Sequence, residues 1–102
     1  YPAEVEAAID AFAPVRSSAV IGLPDEDLGQ RVYAIVDAPD GFDASALRAH
    51  LEERLARYKV PRDFEHVEQP LRDDAGKVRR SALREARIAG RAAAREGPSH
   101  AP

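Results

Sequence analysis

The sequence lacks the residues and runs that mark several classes of protein. It contains no cysteine, which excludes a disulfide framework and any site built on thiolates, and fits a reducing compartment. None of its apolar runs approaches the roughly 20 residues that cross a bilayer, and no signal-peptide pattern opens the chain. We therefore expect a cytoplasmic protein without a membrane span.

The chain is also short for an enclosed ligand site. Its 102 residues form one small domain, which buries about two-thirds of its unfolded surface. Pockets that enclose a small molecule occupy roughly 300–1,000 Å³, which is a large volume for such a core. We expect any chemistry to be shared with another domain or partner.

The charge is unevenly distributed along the chain, although the formal net charge is only −3. Residues 1–71 carry 7 basic and 14 acidic side chains, whereas residues 72–102 carry 8 and 4. The basic end is therefore a local feature and not a composition that binds polyanions in general.

Apolar periodicity predicts an α+β domain with a small three-stranded sheet and helices packed on it. The predicted order is helix, strand, strand, helix, strand, loop, helix, with helices over 2–12, 44–58 and 81–95 and strands over 15–23, 31–37 and 63–68. Asp43 or Ser45 caps the second helix. The second strand is apolar on both faces, so we expect it to be central and antiparallel to the first, after a loop that ends at Gly29.

Two of the helices should cover one face of the sheet, and the third follows at the C-terminal end. Residues 1–95 should form the domain, and residues 96–102 a disordered tail.

One loop near the C-terminal end presents a cation directly after a tight turn. Asp73, Asp74 and Gly76 are turn-forming residues, and Lys77 follows them. An ammonium on a long stem is suited to neutralising phosphate or carboxylate oxygens of another molecule. Composition alone equally allows a solvated lysine. A Walker A loop is excluded, because Leu71 and Val78 stand where it needs Gly and Ser or Thr.

The other polar residues favour structural or solvated roles. His50, His66 and His100 have no ligand set near them in the sequence, so we predict no metal site. Residues 25–27 form an acidic loop that we expect to be solvated. The basic C-terminal end lacks the interleaved aromatic residues of a nucleic-acid module, so we interpret its arginines as a solvated helix face and expect no nucleic-acid partner. These arginines are Arg79, Arg80, Arg84, Arg87, Arg91 and Arg95.

Four stretches, read together, resemble the C-terminal domain of adenylate-forming (AMP-binding) enzymes, most closely that of acyl-CoA synthetases and fatty-acid–CoA ligases. They are Tyr1–Glu6, Val20–Asp25 with Gly29, Tyr58–Arg62, and Arg72–Lys77 with Arg80 and Leu83. Within them, Gly22, Pro24, Asp25 and Gly29 match a structural motif of the family. The stretches have family-like separations across nearly the whole chain.

The resemblance implies a two-step reaction in which this small domain rotates against a larger one. A carboxylate first attacks the α-phosphate of ATP, and a thiol then attacks the acyl-adenylate. Lys77 is implied as the catalytic lysine of the first step, on a loop supported by Arg72 and Gly76. The implied partner is the enzyme's own N-terminal domain, which binds the acid, most of ATP and its Mg²⁺. ATP and CoA are substrates of that enzyme. The present chain, as a fragment of it, is expected to be monomeric, cofactor-free and inactive on its own.

The acceptor thiol depends on the stretch that begins at Tyr58. Peptide-synthetase adenylation domains commonly have Tyr-Met-Val-Pro there, whereas Lys59 and Arg62 resemble acyl-CoA synthetases. The resemblance implies that Tyr58 and Arg62 contact the CoA nucleotide. Alternatively, Tyr58 is the last core residue of its helix, and Leu28 stands where some CoA ligases have a contacting Trp. Two other functions stay open: a peptide-synthetase subdomain that serves a carrier protein, and a non-enzymatic interaction module.

Overall fold

The computed structural model describes residues 2–27 and 29–96, with side chains described as far as Arg91. In chain order its elements are α1 (Pro2–Asp10), β1 (Ser17–Asp25), β2 (Gly29–Asp37), α2 (Ala44–Arg54), a single 3₁₀ turn (Arg57–Lys59), β3 (Asp63–Val67) and α3 (Arg80–Glu96). The predicted α+β class and element order are therefore confirmed. Of the predicted disordered tail, residues 96–102, Glu96 belongs to α3 and residues 97–102 lie outside the described residues.

The three strands form one mixed sheet in the order β1-β2-β3. β1 and β2 pair antiparallel, from Ser17 opposite Asp37 to Asp25 opposite Gly29. β3 pairs parallel to β2, with Tyr33 opposite Asp63. β2 is thus the central strand, as its two apolar faces predict.

Each face of β2 contributes to a different hydrophobic core. Ala34 and Val36 point to the face covered by α1 and α2, where they meet Val5, Ile9, Leu47 and Leu51. Ile35 points to the opposite face, which α3 covers through Leu83 and Ile88. The sheet is therefore covered on both sides, by two helices on one face and one helix on the other.

The turn between the first two strands is tighter than the sequence predicted. We expected β1 to stop at Leu23 before a loop, but β1 continues to Asp25 and β2 begins at Gly29. Pro24 is accommodated because β1 is an edge strand, where a missing backbone N–H is tolerated. Gly29 has φ +79°, which lets the chain reverse within the short turn.

The first two helices are shorter than predicted. α1 ends at Asp10, although Phe12 beyond it still packs against the core. α2 is capped by Asp43, whose side chain accepts from the N–H groups of Ser45 and Ala46, and it ends at Arg54. Tyr58 therefore lies beyond the helix and is 67% exposed, so its alternative role as a core residue is wrong.

Candidate functional site at the Lys77 loop

Residues 72–78, which we call the lysine loop, form a tight antiparallel turn. Arg72 and Val78 pair as an isolated β-bridge at its base. Inside this bridge, Asp73 N–H donates to the Lys77 carbonyl at 2.9 Å, and Gly76 N–H donates to the Asp73 carbonyl at 2.8 Å. The predicted turn is therefore present, and its backbone is closed by its own hydrogen bonds.

The side chain of Asp73 organises the interior of the lysine loop. Its Oδ1 accepts from the N–H groups of Ala75 and Lys77, both at 2.9 Å, and its Oδ2 accepts from Arg79 Nε at 2.8 Å. The N–H of Lys77 is the main reason that the pKa of Asp73 lies below the ordinary aspartate value. The carboxylate thus stays charged and holds the backbone on both sides of Gly76.

Gly76 takes up a backbone conformation that other residues rarely adopt. Its φ is +79°, and a Cβ placed on it would meet no atom within 4 Å. Glycine is therefore favoured at position 76 by its backbone conformation and not by lack of space for a side chain. Arg72 covers the same peptide from outside, because its Nη1 donates to the Gly76 carbonyl at 2.8 Å.

The base of the lysine loop is anchored to the sheet at the carboxyl end of β2. The N–H of buried Leu71 donates to Ser17 Oγ at 3.1 Å, and that hydroxyl donates to Asp37 Oδ2 at 3.0 Å. Asp37 also accepts from Arg16 at 3.1 Å. The loop therefore projects from a rigid support.

Asp10 of α1 lies beside the first arginine of the lysine loop. Its Oδ2 is 3.8 Å from Arg72 Nη2, and its Oδ1 accepts from Ser18 Oγ at 2.7 Å. Partial burial raises the pKa of Asp10, against the hydrogen bond from Ser18 and the charge of Arg72, which lower it.

Lys77 projects from this support into solvent. The residue is exposed, and among the side chains described, those of residues 2–27 and 29–91, no acceptor lies in hydrogen-bond or ion-pair range of its ammonium. The chain's other lysine, Lys59, is held 2.9 Å from Glu4. An exposed ammonium on a rigid loop can bind an anion that belongs to another molecule or domain.

Tyr58 and Arg62, the candidate residues for the CoA nucleotide, lie in a separate region. The N–H of Arg62 donates to the Val32 carbonyl near the start of β2, whereas the lysine loop is anchored at Asp37, where β2 ends. Arg62 borders a groove of about 470 Å³ whose charged lining is mostly basic, from Arg48, Arg57 and Arg62 against Glu52. The structure therefore places Arg62 and the lysine loop at opposite ends of β2, and Tyr58 lies in the 3₁₀ turn that precedes Arg62.

The residues matched to the family's structural motif form the tip of the β1–β2 hairpin. Gly22 presents its carbonyl to Arg84 Nε at 2.7 Å, and Asp25 lies 3.6 Å from Arg31. Pro24 and Gly29 lie on the paired strands. Glu26 and Asp27 are exposed in the turn, as predicted for the acidic loop, but Asp25 belongs to β1 and pairs with Arg31, so its predicted solvation was wrong.

The interpretation of the C-terminal arginines as a solvated face is wrong for Arg80, Arg84 and Arg87, whereas Arg79 and Arg91 are exposed. Arg80 binds buried Glu6 at 2.5 Å, and Arg87 binds Glu65 at 2.7 Å. Arg84 and Arg91 donate to strand carbonyls, while Arg79 binds Asp73. These acceptors are distant in the sequence in all but the last case, so the local pattern of charges gave no signal for them. The side chain of Arg95 lies outside the described region.

Two of the three histidines have structural partners. Nε2 of His50 lies 3.0 Å from the Ala8 carbonyl, and Nε2 of His66 lies 2.7 Å from the Ala38 carbonyl. His100 lies outside the described residues. Among the residues that the structure describes, no three His, Asp or Glu side chains are grouped to hold a metal ion, and no helix is long and apolar enough to cross a membrane.

Comparison with known proteins gives one family match across most of the chain. The family described as the AMP-binding enzyme C-terminal domain matches residues 4–77, so the match ends at Lys77. A 2-succinylbenzoate–CoA ligase of Listeria monocytogenes serotype 4b is 38% identical over 85 residues, which are 83% of this chain and 18% of that protein. A fatty acid–[acyl-carrier-protein] ligase of Streptomyces coeruleorubidus is 36% identical over 87 residues, 83% of this chain and 17% of that protein.

Solved structures give the same result. A Mycobacterium tuberculosis fatty acyl CoA synthetase superposes with a TM-score of 0.79 at 38% identity, over 88% of this chain and 18% of that one. ATP-bound MatB from Rhodopseudomonas palustris superposes with a TM-score of 0.74 at 38% identity, over 84% of this chain and 18% of that one. The chain thus spans less than a fifth of the length of these relatives.

Proposed function

Because the chain belongs to the family of AMP-binding enzyme C-terminal domains, we propose that it is the mobile lobe of an ATP-dependent ligase that joins a carboxylic acid to CoA. Its similar proteins include a CoA ligase and a fatty acyl CoA synthetase, each about five times its length. In this proposal the acid pocket, most of the ATP site and the Mg²⁺ that accompanies ATP belong to the N-terminal domain of the ligase. The lobe supplies Lys77 to the first step, and it supplies the surface that carries Tyr58 and Arg62 to the second step.

The first step brings together two anions. A carboxylate oxygen attacks the α-phosphorus of ATP and forms a P–O bond, while the bond to the bridging oxygen breaks and pyrophosphate leaves with the electron pair. Repulsion between the reactants raises the barrier, and a positioned ammonium lowers it. In this role Lys77 contributes the positive charge of its ammonium and forms no covalent bond.

The second step exchanges the adenylate for a thioester. The thiolate sulfur attacks the acyl carbon, the bond from that carbon to the phosphate oxygen breaks, and AMP leaves. Arg62 lies at the opposite end of β2 from the lysine loop, and Tyr58 precedes it by four positions. A rotation of the lobe that withdraws Lys77 could therefore present these residues, with the exposed Tyr58 ring stacking on the CoA adenine and Arg62 binding a phosphate.

The observation that carries the proposal is that Lys77 is exposed and, among the described side chains, unpaired on a well-ordered turn. Its ammonium has no partner among the described residues, while the loop beneath it is closed by three hydrogen bonds to the Asp73 side chain. A cation held in place but left unpaired is preorganised for an anion outside its own lobe.

Replacing Lys77 by alanine in the complete ligase that contains this chain tests the proposal. We expect Lys77→Ala to lower the rate of acyl-adenylate formation by about 10²–10³-fold. Thioester formation from supplied acyl-adenylate should be nearly unchanged, because Lys77 is withdrawn in that step. The two rates are measured separately, as pyrophosphate release and as acyl-CoA formation.

Lys59→Ala is the matched control for the first step. It removes the chain's other ammonium, which is ion-paired with Glu4 and far along the chain from the loop. We expect adenylate formation to persist in this variant. Equal losses of both steps in Lys77→Ala would refute the role assigned to Lys77.

A carrier protein is the second candidate acceptor, and the similarity to a fatty acid–[acyl-carrier-protein] ligase favours testing it. The complete ligase would be loaded with acyl-adenylate and offered either free CoA or a carrier protein bearing phosphopantetheine. The CoA assignment expects transfer to free CoA. Transfer to the carrier protein alone would replace CoA by that partner and leave the role of Lys77 unchanged.

The remaining parts of the proposal concern substrate and setting. A fatty acid is the first carboxylic acid to try, since one similar structure is a fatty acyl CoA synthetase. We propose a cytoplasmic location, because a chain without cysteine needs no oxidising compartment. The lobe is proposed to act as a monomer against its own N-terminal domain, without a nucleic-acid partner.

A further inference from the structure

Glu6 is a carboxylate that the fold buries almost completely. Its side chain is 3% exposed, on a face of α1 where an apolar residue is the ordinary choice. Its Oε2 accepts from Val20 N and Arg80 Nε, both at 2.8 Å, and its Oε1 accepts from Arg80 Nη2 at 2.5 Å. These bonds satisfy both oxygens, as a buried carboxylate requires.

The partner of Glu6 lies at the end of the lysine loop. Arg80 is the first residue of α3 and follows Lys77 by three positions. Its guanidinium binds Glu6 through two bonds, a geometry that fixes orientation as well as distance. Because Val20 belongs to β1, Glu6 joins α1, the sheet and the end of the loop at one point.

Helix α1 also contacts the start of the lysine loop. Asp10 lies one turn beyond Glu6 and therefore on the same side of α1. Its Oδ2 is 3.8 Å from Arg72 Nη2, and Arg72 Nη1 donates to the Gly76 carbonyl. Two carboxylates of α1 thus face Arg72, before Lys77, and Arg80, after it.

We propose that Glu6 is a positioning residue for Lys77, which acts through Arg80 to set the direction in which the ammonium leaves the lobe. The inference rests on the proposed function, in which Lys77 must meet two anions in one geometry. A displacement of about 1 Å in such a group can lower a rate by about 100-fold. Docking of α3 does not rest on this pair alone, since Leu83 and Ile88 pack against the sheet further along the helix.

The test replaces the Glu6 carboxylate by an amide of the same size in the complete ligase. Glu6→Gln leaves Arg80 without its two-bond anionic partner. We expect kcat for acyl-adenylate formation to fall about 10–100-fold, with KM for ATP unchanged. Thioester formation from supplied acyl-adenylate should change by no more than about twofold. If Glu6→Gln does not fold, Arg80→Lys removes the same two-bond contact from a more exposed position. It should likewise lower adenylate formation and spare thioester formation.

Glu65→Gln is the matched control. Glu65 also binds an arginine of α3 through both oxygens, with distances of 3.1 and 2.7 Å to Arg87, but about two turns beyond Arg80. We expect this variant to lower stability and to leave kcat for adenylate formation unchanged. A similar loss of adenylation in Glu65→Gln, or equal losses in both steps for Glu6→Gln, would show that Glu6 only stabilises the lobe and would overturn the inference.

Combining Glu6→Gln with Lys77→Ala separates this inference from the proposed function. If Glu6 acts through Lys77, adding Glu6→Gln to Lys77→Ala should lower adenylation by no more than about twofold further. Losses that multiply would overturn the positioning role and leave the role of Lys77 intact. If Lys77→Ala alone has no effect on adenylation, the proposed function itself fails.

Hydrogen exchange gives a readout that needs no activity. The Lys77 amide donates to Asp73 Oδ1 at 2.9 Å, so its exchange rate reports opening of the loop. In the 102-residue chain, we expect Glu6→Gln to raise this rate about tenfold and Glu65→Gln to leave it unchanged. An unchanged rate in Glu6→Gln overturns the inference whatever the activity of Lys77.

Discussion

At the scale of single residues, the lysine loop depends on Asp73. Its carboxylate binds two backbone N–H groups and the Arg79 guanidinium, all within six positions of the sequence. A short polar side chain that binds the backbone just beyond it is a known alternative to regular secondary structure. The bonding pattern of the loop is therefore set by neighbouring residues, while its placement on the lobe and the stability of those bonds depend on α1.

The ionisation of Asp73 should be visible at the Lys77 amide. The folded pKa of Asp73 is lowered, so its contribution to stability is present above the unfolded pKa and is lost as pH falls through the folded value. We expect the NMR signals of the Lys77 and Ala75 amides to titrate with a midpoint below about 3.9, the ordinary aspartate value.

Asp73→Asn is the control for this titration, because an amide has no such ionisation and the acid-dependent shift of both signals should disappear. A wild-type midpoint at or above the ordinary value would contradict the hydrogen-bonded role of Asp73.

The difference between local and distant partners explains what the sequence could predict about the candidate site. Asp73, Gly76 and Lys77 are neighbours, so turn chemistry predicted their arrangement. Glu6 and Arg80 are 74 positions apart, and no helical or strand period relates them. Their pairing depends on the packing of α1 beside the start of α3, which only the folded chain reveals.

At the scale of elements, α3 is attached to the sheet as much by arginines as by apolar residues. Arg84 reaches the Gly22 carbonyl of β1, and Arg87 reaches Glu65 of β3. Tyr33 of β2 donates to the same Glu65 at 2.7 Å, and burial together with this bond raises the pKa of Tyr33 to about 12. The polar network thus spans all three strands and adds to the apolar contacts of Leu83 and Ile88.

Arg87→Ala should weaken this attachment. The Arg87 hydrogen bond is the main cause of the lowered pKa of Glu65, so the pair stabilises the fold above the unfolded pKa and less as pH falls through the folded value. We expect a loss of about 1 kcal/mol in the free energy of unfolding at pH 7, measured with urea. The difference from wild type should shrink below about pH 4.

Arg91→Ala is the control on the next turn of α3. Arg91 is exposed and makes a 3.4 Å contact with the Pro24 carbonyl. We therefore expect Arg91→Ala to lower the free energy of unfolding by less than about 0.5 kcal/mol. A loss for Arg87→Ala that does not vary with pH would contradict the contribution assigned to the Glu65 charge.

The elements were predicted well where periodicity was long and poorly where a single residue decided the boundary. The alternation in β2 predicted its two buried faces correctly. Pro24 was interpreted as the start of a loop, because proline usually ends a strand, and the edge position of β1 that permits it cannot be read from local sequence. Likewise, Leu55 has the spacing of a helical residue but adopts extended φ and ψ at the end of α2.

At the scale of the whole molecule, the lobe has its own core on both faces of the sheet. Buried residues of α1, α2, β1 and β2 form one cluster, and residues of the sheet and α3 form the other. The candidate residues for chemistry lie outside both clusters. Folding and catalysis should therefore be separable: the core suffices for folding, whereas catalysis requires another domain.

The 102-residue chain by itself should therefore fold and be inactive. We expect cooperative unfolding in urea followed by circular dichroism, as is usual for a domain of this size. Supplied with ATP, Mg²⁺ and a carboxylic acid, it should form no acyl-adenylate, since it would lack most of the proposed ATP site. Detectable adenylate would place that site within this chain, and a chain that stays unfolded would show that the lobe depends on its neighbour.

The contrast between Lys59 and Lys77 has a practical consequence. The chain contains thirteen arginines but only two lysines, and Lys59 is held against Glu4. An amine-directed fluorophore should therefore attach to the rim of the lysine loop in preference to Lys59. The same lysine that we assign to catalysis would then serve as an attachment point for an optical probe of the lobe's rotation, in a chain with no thiol to label.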